Sequence, residues 1–190
     1  MAAVGAIRRL VPGVVAAALV VLSASPRADQ TDPELDGLFE RLGAATDVST
    51  ARPIEAEIWN RWLRSGDAPV DALMREGMDA MSEGRLDEAI DLFTRIIEAR
   101  PDFAEGWNKR ATAYYLDDQL AASVLDIRRT LALEPRHFGA ISGMGLIFLR
   151  RGDAAGALDA FERVLDVNPQ APGARARVEM LSRTLRGRGV

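Results

Sequence analysis

From position 70 onward, apolar residues fall three and four places apart in short runs, the spacing that lines one face of a helix. The runs come in pairs. They predict helices over 70–82 and 86–99, 104–117 and 120–133, and 138–151 and 154–167. A last helix is predicted over 172–185, with Val178, Leu181 and Leu185 on its inward stripe and arginines outside.

The pairs themselves repeat. Pro101, Pro135 and Pro169 stand 34 residues apart, each closing an amphipathic run. Eight places before each proline lies a large apolar residue: Phe93, Ile127 or Phe161. Four places further back lies a small one: Ala89, Ser123 or Ala157. Gly77, Ala111 and Gly145 form a second small column, and Ile97, Leu131 and Leu165 another apolar one. Two antiparallel helices cannot hide their apolar stripes alone, so such units stack, and stacking needs small residues where helices cross closely. Proline cannot continue a helix interior and so marks the turn into the next unit.

These residues resemble the tetratricopeptide-repeat (TPR) pattern W-x2-L-G-x2-Y, A-x3-F, P. Trp107 and Tyr114 match its aromatic positions, Gly145 and Phe148 match in the next repeat, and Ala89/Phe93 and Ala157/Phe161 supply the A-x3-F element. Arg110-Ala111 and Ser123/Ile127 depart from the pattern, with Arg110 expected to snorkel to the surface. The resemblance implies an all-α fold, a TPR-type α-solenoid. Three clear repeats (70–103, 104–137, 138–171) are followed by a C-terminal capping helix and basic tail over 172–190. Shifting the register back by 34 places Phe39, Leu42 and Gly43 on the first-helix element and Trp59 on the Phe column. Residues 29–69 therefore read as a degenerate repeat. Its helices, 33–44 and 53–64, pack on repeat one as a cap, with Trp59 and Trp62 in the interface.

The N-terminus has another character. Arg8 and Arg9 precede thirteen uncharged, mostly apolar residues and then a small, polar exit. That layout is a secretory signal peptide over 1–28, or an uncleaved signal anchor. Thirteen residues fall short of the ~20 that span a bilayer as a helix. The expected location is the periplasm, with an inner-membrane anchor facing the periplasm as the alternative, the membrane being met only through that segment.

Charge excludes some functions. The net charge is −4, against the basic face expected of a nucleic-acid binder. Cysteine is absent, which removes disulfides and thiolate chemistry. Residues 29–71 carry ten acids against four arginines, and 173–190 carry five arginines against Glu179, both read as solvated surface. The single histidine, His137, sits in an inter-repeat turn and reads as a helix-start residue rather than part of a catalytic set. Asp126 and Asp159 read as exposed helix positions. No catalytic set, cofactor motif or metal-ligand spacing is evident; an enzyme would need a site around Glu55, Glu57 and Trp59.

What the resemblance implies is a groove lined by first helices that holds a peptide or helix of a protein partner. Its expected lining is Met74, Met78 and Met81, then Asn108, Thr112 and Tyr115, then Ser142, Leu146 and Leu149. The Lys/Asn carboxylate clamp of some family members is not evident, because the only lysine, Lys109, lies beside the groove column. The function expected is a non-catalytic scaffold of the bacterial envelope; the alternative is an accessory subunit in an envelope enzymatic pathway such as cytochrome maturation or cell-wall metabolism.

Overall fold

The computed structural model describes residues 29–187, so the segment read as a signal peptide or anchor lies outside the described residues. Those residues form nine helices and no strand. α1 (Glu34–Gly43) and α2 (Val48–Trp62) form an N-terminal hairpin. The repeats follow as α3 (Ala68–Ser82) with α4 (Leu86–Ala99), α5 (Ala104–Leu116) with α6 (Leu120–Leu133), and α7 (Phe138–Arg150) with α8 (Ala154–Val167). The chain ends in α9 (Pro172–Gly187). Among the described residues no helix is long and apolar enough to cross a membrane.

Each repeat closes on one contact. A Cβ placed on Gly77 would lie 2.5 Å from Phe93 Cε1, and one on Gly145 would lie 2.9 Å from Phe161 Cζ. The rings are buried because the glycines let the helices approach. Repeat two solves the same packing with Ala111 against Ile127, adding a methyl on one side and removing a ring from the other. Ser123, in the second small column, satisfies its hydroxyl by donating to the Ala111 carbonyl at 2.7 Å. The turn inside each repeat needs a left-handed residue, and Gly84 (φ 76°), Asp118 (φ 59°) and Gly152 (φ 75°) supply it at the same 34-residue interval.

First helices of successive repeats touch, α3 to α5 and α5 to α7, while no comparable contact joins α4 to α6 or α6 to α8. The stack therefore curls with first helices on its inner side. α9 takes the place of a fourth first helix: Glu179 falls in the column of Gly77, Ala111 and Gly145 and is solvent-exposed.

Two expectations change. α2 begins at Val48 rather than at Pro53, because Asp47 caps it: its carboxylate accepts from the Thr50 N–H at 2.9 Å and from the hydroxyls of Ser49 and Thr50. Those bonds hold the Asp47 carboxyl down at about 2, with the Ser49 hydroxyl as the largest cause. Second, the hairpin does not stack on repeat one as a preceding repeat would. The segment from Gln30 to Ala45, with α1 at its centre, runs across all three inter-repeat turns. It meets the residue after each repeat proline: Gln30 donates to the Asp102 carbonyl, Asp36 pairs with Arg136 at 2.7 Å, and the Ala45 carbonyl accepts from Gln170 at 3.0 Å. Leu35, Leu38, Phe39 and Leu42 of α1 join Ile54, Ile58 and Trp62 of α2 in one core with Phe138, Ile141, Phe161 and Leu181 of the array. The acidic block is accordingly engaged rather than only solvated: Asp29 is buried against Arg100, and Asp32 pairs with Arg61 at 2.6 Å.

Gly77→Val is expected to destabilise the chain by roughly 1–3 kcal/mol, since the side chain must displace Phe93. Gly37→Ala, where an added Cβ meets nothing within 4 Å inside α1, is expected to stabilise it by about 0.5–1 kcal/mol. Urea midpoints of the two variants check both signs.

Candidate binding groove

α2 returns beneath α1 and crosses the N-terminal ends of the first helices. Trp59 packs on Phe138 and His137, so closely on α7 that a Cβ at Gly139 would lie 2.5 Å from its ring. Trp62 stacks on the His137 ring, centroids 4.1 Å apart and planes 9° from parallel. Under these rings lies a buried polar set. The Ala140 N–H donates to His137 Nδ1 at 3.1 Å, capping α7, so the other ring nitrogen carries the proton and donates to Glu105 at 2.8 Å. Asn108 donates to the same carboxylate oxygen at 3.1 Å, and Lys109 stands 3.1 Å from the other oxygen as an ion-pair contact. Burial pushes the Glu105 carboxyl up, but Lys109 and His137 outweigh it and hold it below the usual carboxylate range. The Trp62 indole N–H is buried without an acceptor among the described residues, a cost of about 1–3 kcal/mol that the surrounding ring contacts offset.

The N-terminal ends of α5 and α7 are thus covered on one side, and the face between the two helices is left open. A cleft of about 150 Å³ lies there, and Asn108, Thr112, Tyr115, Ser142 and Leu146 all line it. A second cleft of about 220 Å³ continues past Ser142 and Leu146 to α9, where Arg177 and Glu55 border it. The structure thus brings together five of the nine residues expected to line a groove. Met74 is different: it is buried in the core of repeat one, on the column that Asn108 and Ser142 share, and offers no surface. Met78 and Met81 are half-buried against that core, and Leu149 is half-buried against the core beneath α1 and α2. Arg150 closes the Tyr115 end by lying 4.6 Å over its ring while bonding Asp118 at 2.7 Å.

Arg110 does not snorkel and Asp126 is not exposed. The guanidinium forks onto the carboxylate at 2.7 and 3.0 Å and also donates to Thr94, tying α5 to α6 and α4. Asp126 occupies the buried column of Leu92 and Ala160, a signal present in the sequence. Glu55 and Glu57, the carboxylates an enzyme would need, serve separate structural bonds to Asn168 and Arg61. Among the described residues no group of three or more His, Cys, Asp or Glu gathers closely enough to hold a metal ion.

Stacked helix pairs, an inner face of first helices and an open cleft on that face define an α-solenoid. The chain belongs to the tetratricopeptide-repeat family, whose profile matches residues 74–136 and 142–177. It is 39% identical over 153 residues to a TPR repeat-containing protein of Rhizobium etli, covering 80% of this chain and 75% of that one. The Sgt2 TPR domain of Aspergillus fumigatus superposes with a TM-score of 0.60 at 25% identity, over 65% of this chain and 83% of that one. The first TPR of Spaghetti (RPAP3), solved with the HSP90 peptide SRMEEVD, gives 0.58 at 27% identity, over 61% and 92%.

Glu105→Gln keeps the acceptor for His137 but removes the charge that faces Lys109. The folded Glu105 carboxyl titrates below its ordinary value of 4.5, so its contribution is present above that value and lost as pH falls through the lower folded one. Wild type is expected to exceed the variant by roughly 1–3 kcal/mol at neutral pH. The gap should close on acidification, read from urea midpoints between neutral pH and the acid limb.

Proposed function

We propose that this chain is a non-catalytic interaction scaffold that holds a peptide or helix of a protein partner in the cleft crossing α5, α7 and α9. The observation that carries the reading is the half-covered inner face: the hairpin seals the N-terminal ends of the first helices, yet Thr112, Tyr115, Ser142 and Leu146 remain open beside it. Support comes from the neighbour solved with a bound peptide on the same kind of array.

The reading places the scaffold in a bacterial envelope. The twin arginines before a short apolar run support export, and the Rhizobium etli relative supports a bacterial setting. The expected location is periplasmic. Nucleic acid has no part in it, since the net charge is −4. N-terminal sequencing of the mature protein is expected to start close to Asp29; a start at Met1 or Ala2 in the envelope fraction would favour an anchor instead.

A photo-crosslinking residue at Ser142, in cells, is expected to give a discrete partner adduct that disappears when Leu146→Asp is added. The same residue at Leu125, exposed on the outer side of α6, is expected to give none. Identical adducts from both positions, or none from Ser142 in the folded protein, would refute the groove.

A further inference from the structure

We infer that the cleft between α5 and α7 receives one uncharged, apolar side chain from an internal stretch of the partner, and rejects acidic residues and terminal carboxylates. The inference rests on the groove reading above and specifies its ligand.

The cleft owes part of its volume to a first-helix position that carries no side chain. Gly143 opens it, since a Cβ there would already stand 3.3 Å from Ile127 Cδ1, while Gly139 at its edge makes room for the Trp59 ring on its other side. Ala111, Ile127, Ala140 and Leu146 form apolar walls around a space of about 150 Å³. An apolar space of that size accepts a ring or a branched aliphatic group, and filling it removes apolar surface from water on both partners.

The polar lining is amide and hydroxyl, and most of its donors are turned inward. Ser123 donates to the Ala111 carbonyl, Thr112 to the Asn108 carbonyl at 2.9 Å, and Asn108 to Glu105. The hydroxyls of Ser142 and Tyr115 have no hydrogen-bond partner among the described residues and face a guest backbone passing over the cleft.

The cations beside the α5–α7 cleft itself face carboxylates, whereas Arg177, which borders the second cleft at α9, donates to the Gly173 carbonyl and lies over the Phe161 ring. Lys109 faces Glu105, Arg110 forks onto Asp126, and Arg150 bonds Asp118. A carboxylate entering here would lose its hydration and meet no cation released to receive it, which is the unfavourable case for burying charge. A neutral apolar side chain meets no such penalty. The peptide held by the first TPR of Spaghetti ends in EEVD, so a shared fold goes with a different ligand chemistry.

The test uses the full isotope-labelled chain and two small probes at neutral pH: N-acetyl-leucinamide, which is neutral, and N-acetyl-leucine, whose carboxylate is ionised. The neutral probe is expected to shift the backbone resonances of Thr112, Ser142, Gly143 and Leu146. The ionised probe is expected to bind there at least about tenfold more weakly. Gly143→Leu, which fills the cleft, should abolish the shifts. Thr112→Asp, at a half-buried site on the cleft, should weaken the neutral probe if the first variant fails to fold. Equal or tighter binding of the ionised probe overturns the assignment of a neutral guest and leaves the groove standing. No shift from either probe, in a chain whose Ser142 adduct is still lost on Leu146→Asp, also overturns it. Loss of the adduct specificity itself is what brings down the groove reading.

Discussion

A phenylalanine ring can lie between two helices only if one of them lacks a side chain at the crossing. Phe93 over Gly77 and Phe161 over Gly145 set the distance between the two helices of their repeats. That distance brings the remaining apolar stripes into register for the next pair. The middle repeat keeps the spacing by exchanging ring for methyl, Ile127 against Ala111, so the stack runs on without a step. The cleft on the inner face follows from the same economy of volume, because Gly143 leaves open what a side chain would fill.

The second constraint is electrostatic. Every inter-repeat turn carries a polar group that bonds within the array and also reaches the N-terminal segment. Arg100 meets Asp29, Arg136 meets Asp36, and Asn168 meets Glu55. Beneath them the Glu105, His137 and Lys109 set is dry because Trp59 and Trp62 roof it. Buried charge of this kind persists only when each member is partnered, and here the partners come from two repeats and a helix cap.

The repeats were legible in the sequence because their columns depend on local spacing. Small, large and proline positions return every 34 residues, and the helices they imply match the observed ones within one or two residues. The two helices of the hairpin were legible, but its placement across the array was not. Its partners lie up to 125 residues away along the chain, and its own apolar spacing happens to fit the repeat register. Asp126 was misread as surface because a charge was judged by its type. Its column, shared with Leu92 and Ala160, pointed inward, and Arg110 was the compensating half. Five of the residues expected in the groove share one cleft, while Met74 was misplaced because the first repeat turns that column into its own core. The left-handed row Gly84, Asp118 and Gly152 was readable by interval and passed unremarked.

A bare stack of repeats behaves as a row of nearest-neighbour units, and its ends can fray while the middle holds. The segment from Gln30 to Ala45 changes that here by touching the turn after each of Pro101, Pro135 and Pro169. Terminal units can no longer melt independently, since releasing either one strips contacts from the strap that also restrains the other. The row becomes a single cooperative block, and amide exchange across its three repeats draws toward one common opening energy instead of a gradient from centre to ends.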